Sequence, residues 1–204
     1  MLLQGEIYMN LAHPIKKIKD LENFKDYYKK IKPNYRNELL IILGLNTALR
    51  ISDILSLKWE SVYNFDKKEY RNHIILMEQK TGKLSQIYLN SNVLENLKEY
   101  KEYLKQKNKT IEPESFIFNH SNKNISITRT QAFRIIKEAA DYYNISGVIS
   151  CHSLRKTFGY HAWKQGVPPA LLVTVFNHSS FDITKRYLGI EQDDKDEIFK
   201  KIKL

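Results

Sequence analysis

The chain has one cysteine, Cys151, in 204 residues. That excludes an internal disulfide framework and a multi-thiolate zinc site. Long apolar runs are missing too. The longest, Leu39 to Leu45, has 7 residues, against the roughly 20 that a membrane span needs. No secretory leader is visible, because acid arrives as early as Glu6. The expectation is a soluble, cytoplasmic protein with no membrane partner. The six histidines show no His-x-x-x-His or His-Glu-x-x-His spacing. A tight acidic cluster of the two-metal kind and a Gly-x-x-x-x-Gly-Lys phosphate loop are also lacking. Any phosphoryl chemistry would have to run without a metal and without nucleotide hydrolysis, and no cofactor is expected.

What the chain does have is positive charge. Lys plus Arg number 33 against 23 Asp plus Glu, a formal +10. The excess is uneven, +7 in residues 1–110 and +3 in 111–204. It favours a polyanionic partner, nucleic acid first and an acidic membrane surface second. Apolar residues at 42% and charged residues at 27% are an ordinary globular balance. No repeat, low-complexity tract or Gly/Ser-rich linker invites a domain cut. Residues 1–14, ending at Pro14, read as an N-terminal arm, and 15–204 as one domain.

The periodicity predicts a mostly helical α+β fold with a small antiparallel sheet at one edge. Helices are expected near Leu21–Ile31, stopped by Pro33, and from Tyr35 to Ala48, apolar nearly all round and hence central. A short helix follows at Ser52–Leu57. Strand-like runs at His73–Met77 and Gln86–Leu89 flank a Lys-Thr-Gly-Lys turn. Asn92–Gln106 is amphipathic, with Lys98, Lys101 and Lys105 on a face that reads as solvated rather than as a nucleic-acid stripe. Phe116–Phe118 reads as one more short strand. Thr128 and Gln131 have capping-box spacing for a helix reaching about Tyr143. Further helices are expected at His152–Gln165, ended by Gly166, from Pro168 and Pro169, from Asp182 toward Tyr187, and at Asp193–Lys201.

Four local features can carry chemistry, each with a structural alternative beside it. Arg50 follows a strongly apolar helix, so its guanidinium must pair or bind an anion; Asp53, three residues on, is an available partner. Lys80 sits in the hairpin turn, either solvated or as a flexible cation over a phosphate; unlike arginine, it can give up its proton. His152 and Arg155 share one face at a helix start, where the positive helix end favours an anion. Cys151 beside His152 reads as a packed cysteine, because adjacent side chains diverge. His178 and Tyr187 lie in the segment Asn177–Tyr187, and composition does not privilege this tyrosine among 13.

Taken in order, these pieces resemble the tyrosine recombinase (phage integrase) family. Thr47 to Trp59 resembles its first arginine box, Gln79-Lys80-Thr81-Gly82-Lys83 its hairpin lysine, and His152-Ser153-Leu154-Arg155 its His-x-x-Arg box. Asn177-His178, with Tyr187 nine residues beyond, resembles its last histidine and nucleophile. The motifs run from Arg50 to Tyr187, about two thirds of the chain. One departure is Asn177, where the family usually has glycine; asparagine tolerates left-handed backbone. Another is the short N-terminal region, with no room for a separate DNA-clamping domain, as in catalytic-domain-only members such as the fimbrial-switch invertases.

The resemblance implies a site-specific recombinase acting on double-stranded DNA through a 3′-phosphotyrosyl intermediate, in the nucleoid. Tyr187 would be the nucleophile, Arg50 and Arg155 the phosphate grip, and Lys80, His152 and His178 the remaining catalytic groups. Asp53 would brace Arg50. It also implies a homotetramer on paired sites, monomeric when free, with accessory DNA-bending proteins. The tail after Tyr187 would dock on a neighbouring protomer or fold back on its own domain. A non-catalytic DNA-binding regulator on the same scaffold is the alternative, and a type IB topoisomerase-like activity shares the chemistry.

Overall fold

The computed structural model describes residues 12–120, 123–189 and 199–202. Helix α1, Ile18–Asp26, continues through a single wider turn, Tyr27–Ile31, and stops short of Pro33, which disfavours helical backbone before it. Helix α2, Tyr35–Thr47, starts at Asn34, whose side chain accepts from the Asn37 amide at 3.1 Å. Leu39 to Leu45 are buried on every side of it, which makes α2 the central rod. Helices α4 (Ser91–Gln106), α5 (Arg129–Tyr142) and α6 (Cys151–Lys164) pack around it. Gly44 lets α6 come close, since a Cβ there would fall on Leu154. Helix α3 is the short Ile51–Leu55 segment. Helices α7 (Pro169–Phe176) and α8 (Phe181–Leu188) close the chain order of the described helices.

The strands differ from expectation in three ways. Two separate antiparallel pairs form, not one sheet: β1–β2 (Tyr63–Asn64 with Glu69–Tyr70) and β3–β4 (His73–Met77 with Leu84–Tyr88). The first is too short to show a period. Asn64 builds its turn by accepting from the amides of Asp66 and Lys67. Strand β4 starts at Leu84, earlier than the apolar run implied, because Ser85 and Leu84 pair with Leu76 and Met77. Phe116–Phe118 is not a strand; it is tied by an isolated bridge between Phe116 and Lys58, with Ile117 and Phe118 fully buried. The Thr128–Gln131 capping box is present as read. On α4, Lys101 lies 3.3 Å over the Tyr63 ring and so serves the β1–β2 hairpin. The expected helix at Asp193–Lys201 falls largely outside the described residues.

Ala12 to Pro14, assigned to the arm from sequence, pack on the domain. The Ala12 carbonyl accepts from Lys156 Nζ at 2.7 Å, the His13 amide donates to the Val148 carbonyl, and the amide of Ile15, just after Pro14, donates to the Thr157 hydroxyl. Two apolar clusters result. The large one is built around α2. A smaller one joins Ala48, Leu172, Phe176 and Leu188, with the Tyr187 ring against it. Gly159 of α6 makes this second cluster possible, because a Cβ there would fall on Leu188 and Phe176.

Candidate active site

The site is assembled from helix ends. Ala48 caps α2 in the left-handed region, φ 55°, and the chain leaves it extended through Arg50, the N-cap of α3. Asn177 caps α7 in the same region, φ 52°, so asparagine here serves where glycine is usual and the turn into His178 is kept. Arg155, on α6, lies between these two ends. Its guanidinium donates to the carbonyls of Ala48 and of Phe176, the latter at 3.0 Å, and stacks 4.7 Å over the Phe176 ring. Burial lowers its proton affinity, though the residue stays cationic at neutral pH.

Tyr187 reaches this centre from α8. Its ring lies 5.5 Å from Phe176 and 5.1 Å from His178, close enough to Arg155 and Arg50 for their charges to bear on the phenol. Burial raises the phenol above its ordinary value, while Arg155 and Arg50 draw it down. Net, the resting phenol is protonated and needs a base to become a nucleophile. Two imidazoles stand near. His152 is pushed down to about 4 by burial and by Arg129, Lys156, Arg155 and Lys80. His178 is pushed down to about 4 by burial and by Arg155 and Arg50. Both are therefore neutral at pH 7, with a ring nitrogen able to take a proton. His178 Nδ1 sits 3.0 Å from the Thr184 hydroxyl, and Thr184 is fully buried. The same hydroxyl lies 3.3 Å from the Ser180 carbonyl.

Lys80 lies in the exposed turn between β3 and β4, close enough for its charge to bear on His152. Of the six candidate catalytic residues, Arg50, Arg155, His178 and Tyr187 share one centre, His152 flanks it and Lys80 stands at its rim. Cys151 is buried and its thiol is pushed up to about 11 by burial, in keeping with a packed cysteine rather than a thiolate.

One assignment needs correction. Asp53 does not brace Arg50. Its Oδ1 accepts from the Gln79 amide at 2.9 Å, fixing the start of the Lys80 turn, and its buried Oδ2 has no hydrogen-bond partner. The partner of Arg50 is Glu78, which sequence reading passed over. A signal for it exists. The period of two along β3 puts Glu78 on the face of the buried Ile74, and a carboxylate on an inward face must find donors. Arg129, the first residue of α5, was missed as well; its guanidinium approaches His152 Nε2 at 3.5 Å.

Among the described residues, no cluster of three or more His, Cys, Asp or Glu could hold a metal, and no helix is long and apolar enough to cross a membrane. Residues 16–193 match the model of the phage integrase family, and the chain belongs to that family. Its fold is that of a tyrosine recombinase catalytic domain. A probable integrase/recombinase of Bacillus subtilis, YoeC, is 35% identical over 185 residues, covering 91% of this chain and 93% of that protein. The tyrosine recombinase XerA of Pyrococcus horikoshii is 26% identical, over 88% of this chain and 60% of its own length. Among solved structures, XerA recombinase superposes with a TM-score of 0.72 at 16% identity, over 92% of this chain and 65% of that one. XerH bound to palindromic difH substrate gives 0.73 at 19% identity, over 92% and 52%.

Proposed function

We propose that the chain is a site-specific DNA recombinase that cuts and rejoins duplex DNA through Tyr187. The observation that carries this reading is the convergence of Tyr187 and His178, rings 5.1 Å apart, with the charges of Arg155 and Arg50 bearing on both, in a phage-integrase-family domain. In the reaction the Tyr187 oxygen attacks a phosphorus and its proton passes to His152. The bond from phosphorus to the 5′-oxygen breaks, and Lys80 gives that oxygen a proton. The product is a 3′-phosphotyrosyl ester with a free 5′-hydroxyl. Attack by a partner strand's hydroxyl runs the same steps backward and joins new ends. Phosphodiester energy is held in the ester, so neither metal nor nucleotide hydrolysis is required.

Charge assigns the other roles. The transition state gathers negative charge on the non-bridging oxygens, where Arg50 and Arg155 can each grip with a planar fork. His178 donates to the same oxygens. The XerH neighbour is bound to its difH substrate, and this chain's +10 charge suits the same kind of polyanion, which supports duplex DNA as the partner. The reading extends to a homotetramer on paired sites, monomeric without DNA, with DNA-bending accessory proteins and residence on the nucleoid.

A nicked suicide duplex, drawn as a tiled set from the DNA flanking the gene, tests it. The wild-type chain should form a denaturant-resistant adduct on one tile, and Tyr187→Phe should form none while binding the duplex almost unchanged. An adduct with the Phe variant would dismiss Tyr187 as nucleophile. Binding without any adduct would instead favour a non-catalytic regulator.

A further inference from the structure

The buried carboxylate of Glu78 has no part in the chemistry above, yet it touches three separate segments of the site. It is 4% exposed. One oxygen accepts from Arg50 Nη1 and from the Thr81 hydroxyl at 3.0 Å. The other accepts from the Ser85 hydroxyl at 2.7 Å and from Asn177 Nδ2 at 2.8 Å. Four donors fill the four lone-pair directions that a carboxylate offers, which is what a buried negative charge requires. Burial alone would push this carboxyl up, but the bonds from Ser85, Thr81 and Arg50 outweigh it and hold it below the ordinary range.

The donors are not a random sample of the surroundings. Arg50 is half of the phosphate grip. Thr81 follows Lys80 in its turn, Ser85 is on the strand that leaves it, and backbone bonds between Glu78 and both Gly82 and Lys83 close that turn. Asn177 is the left-handed residue that aims His178. The three segments are far apart in sequence, and the large apolar core built around α2 contains none of these donors.

Building on the recombinase reading, we propose that Glu78 is a positioning residue that sets Arg50, the Lys80 turn and the Asn177–His178 turn in one register. It acts through those groups and does not touch DNA. Its negative charge also halves the formal charge of Arg50 and Arg155 taken together, so the resting site is not a bare cation pair. Glutamine in its place keeps the shape but removes the charge that strengthens all four bonds, and turns an amide donor toward one of the two donor pairs. The register then loosens at the Lys80 turn and at Asn177 together.

Two measurements on the full chain test this. In hydrogen–deuterium exchange of the DNA-free Glu78→Gln variant, amides at 79–85 and at 177–179 should exchange faster together, while those of α2 and α4 stay protected. In single-turnover cleavage of the suicide duplex, the same variant should slow on the order of 10²-fold, the scale of a displacement of about 1 Å at a reacting centre, with duplex affinity kept. The double variant Glu78→Gln/Lys80→Ala should then lose less than the product of the single losses, because Lys80 is one of the groups through which Glu78 acts. Ser85→Ala, which removes one neutral donor at a half-buried position, should move both readouts in the same direction by less and serves if the glutamine variant does not fold. Exchange that quickens in only one segment, or strictly multiplicative cleavage losses, would overturn the proposal. Absence of any adduct from the wild-type chain would defeat the recombinase reading alone, since the exchange experiment judges the register without catalysis.

Discussion

Exchanging Arg155 for lysine should lower stability and activity together, whereas the same exchange at Arg50 should lower activity alone. Arg155 is 4% exposed and donates to the carbonyls of Ala48 and Phe176. Those acceptors come from two segments and suit a planar fork. An ammonium donates from one point on a flexible stem and cannot serve both carbonyls. One buried carbonyl left without a donor costs about 1–3 kcal/mol. At about 2–4 °C per kcal/mol for a domain of this size, Tm should fall by about 2–12 °C. Arg50 differs because its partner is a carboxylate, which accepts as readily from an ammonium, and its side chain is 15% exposed. Arg50→Lys should therefore melt within about 2 °C of the parent. On the proposed function both variants lose a bidentate grip on the phosphate, so single-turnover cleavage should fall by about 10² or more in each. Calorimetry gives the melting temperatures and the suicide duplex gives the rates. An Arg155→Lys protein that melts with the parent would refute the reasoning, and so would an Arg50→Lys protein that melts as low as Arg155→Lys.

Two further predictions follow from the surroundings of Tyr187. His152 and His178 are both held down to about 4, so between that value and the ordinary histidine value of about 6.5 the unfolded chain binds protons that the folded chain refuses. The stability tied to their neutral rings is complete above about pH 6.5 and is lost as pH falls toward 4. Tm should slope downward through that window, and less steeply in a His152→Gln/His178→Gln double variant; an unchanged slope there would assign the effect to other groups. Gly159→Ala would set a methyl on Leu188 and Phe176, an overpacking of about 1–3 kcal/mol that α8 can relieve by moving. Adduct formation should slow while duplex affinity holds, and cleavage at the parental rate would show that α8 is not placed by this contact.

The sequence carried the helices and the reactive side chains for different reasons. Helix α2 was legible because Leu39 to Leu45 leave no polar face, and α5 because a capping box is a local pattern. Arg50, Lys80, His152, Arg155, His178 and Tyr187 were legible because each sits in a short motif. Glu78 was not, since its four donors lie 28, 3, 7 and 99 residues away and no window holds them all. Asp53 was misread for the related reason that the nearest opposite charge in sequence is not the nearest in space. The β1–β2 hairpin escaped because strands of two residues carry no period.

The build of the centre also explains how a guanidinium can be buried there at all. The carboxyl end of a helix presents carbonyls without intrahelical donors and a partial negative charge. Helices α2 and α7 both end in left-handed caps, at Ala48 and Asn177, and bring the carbonyls of Ala48 and Phe176 to one guanidinium. Arg155 thus satisfies two helix ends that would otherwise be buried without donors, and the two ends supply the negative potential that keeps it charged. The cation is fixed before any phosphate arrives, and its charge draws down the phenol of Tyr187 beside it. A charge fixed in advance need not reorganise when the phosphorus is attacked, which is the condition under which electrostatic stabilisation of a transition state is strongest.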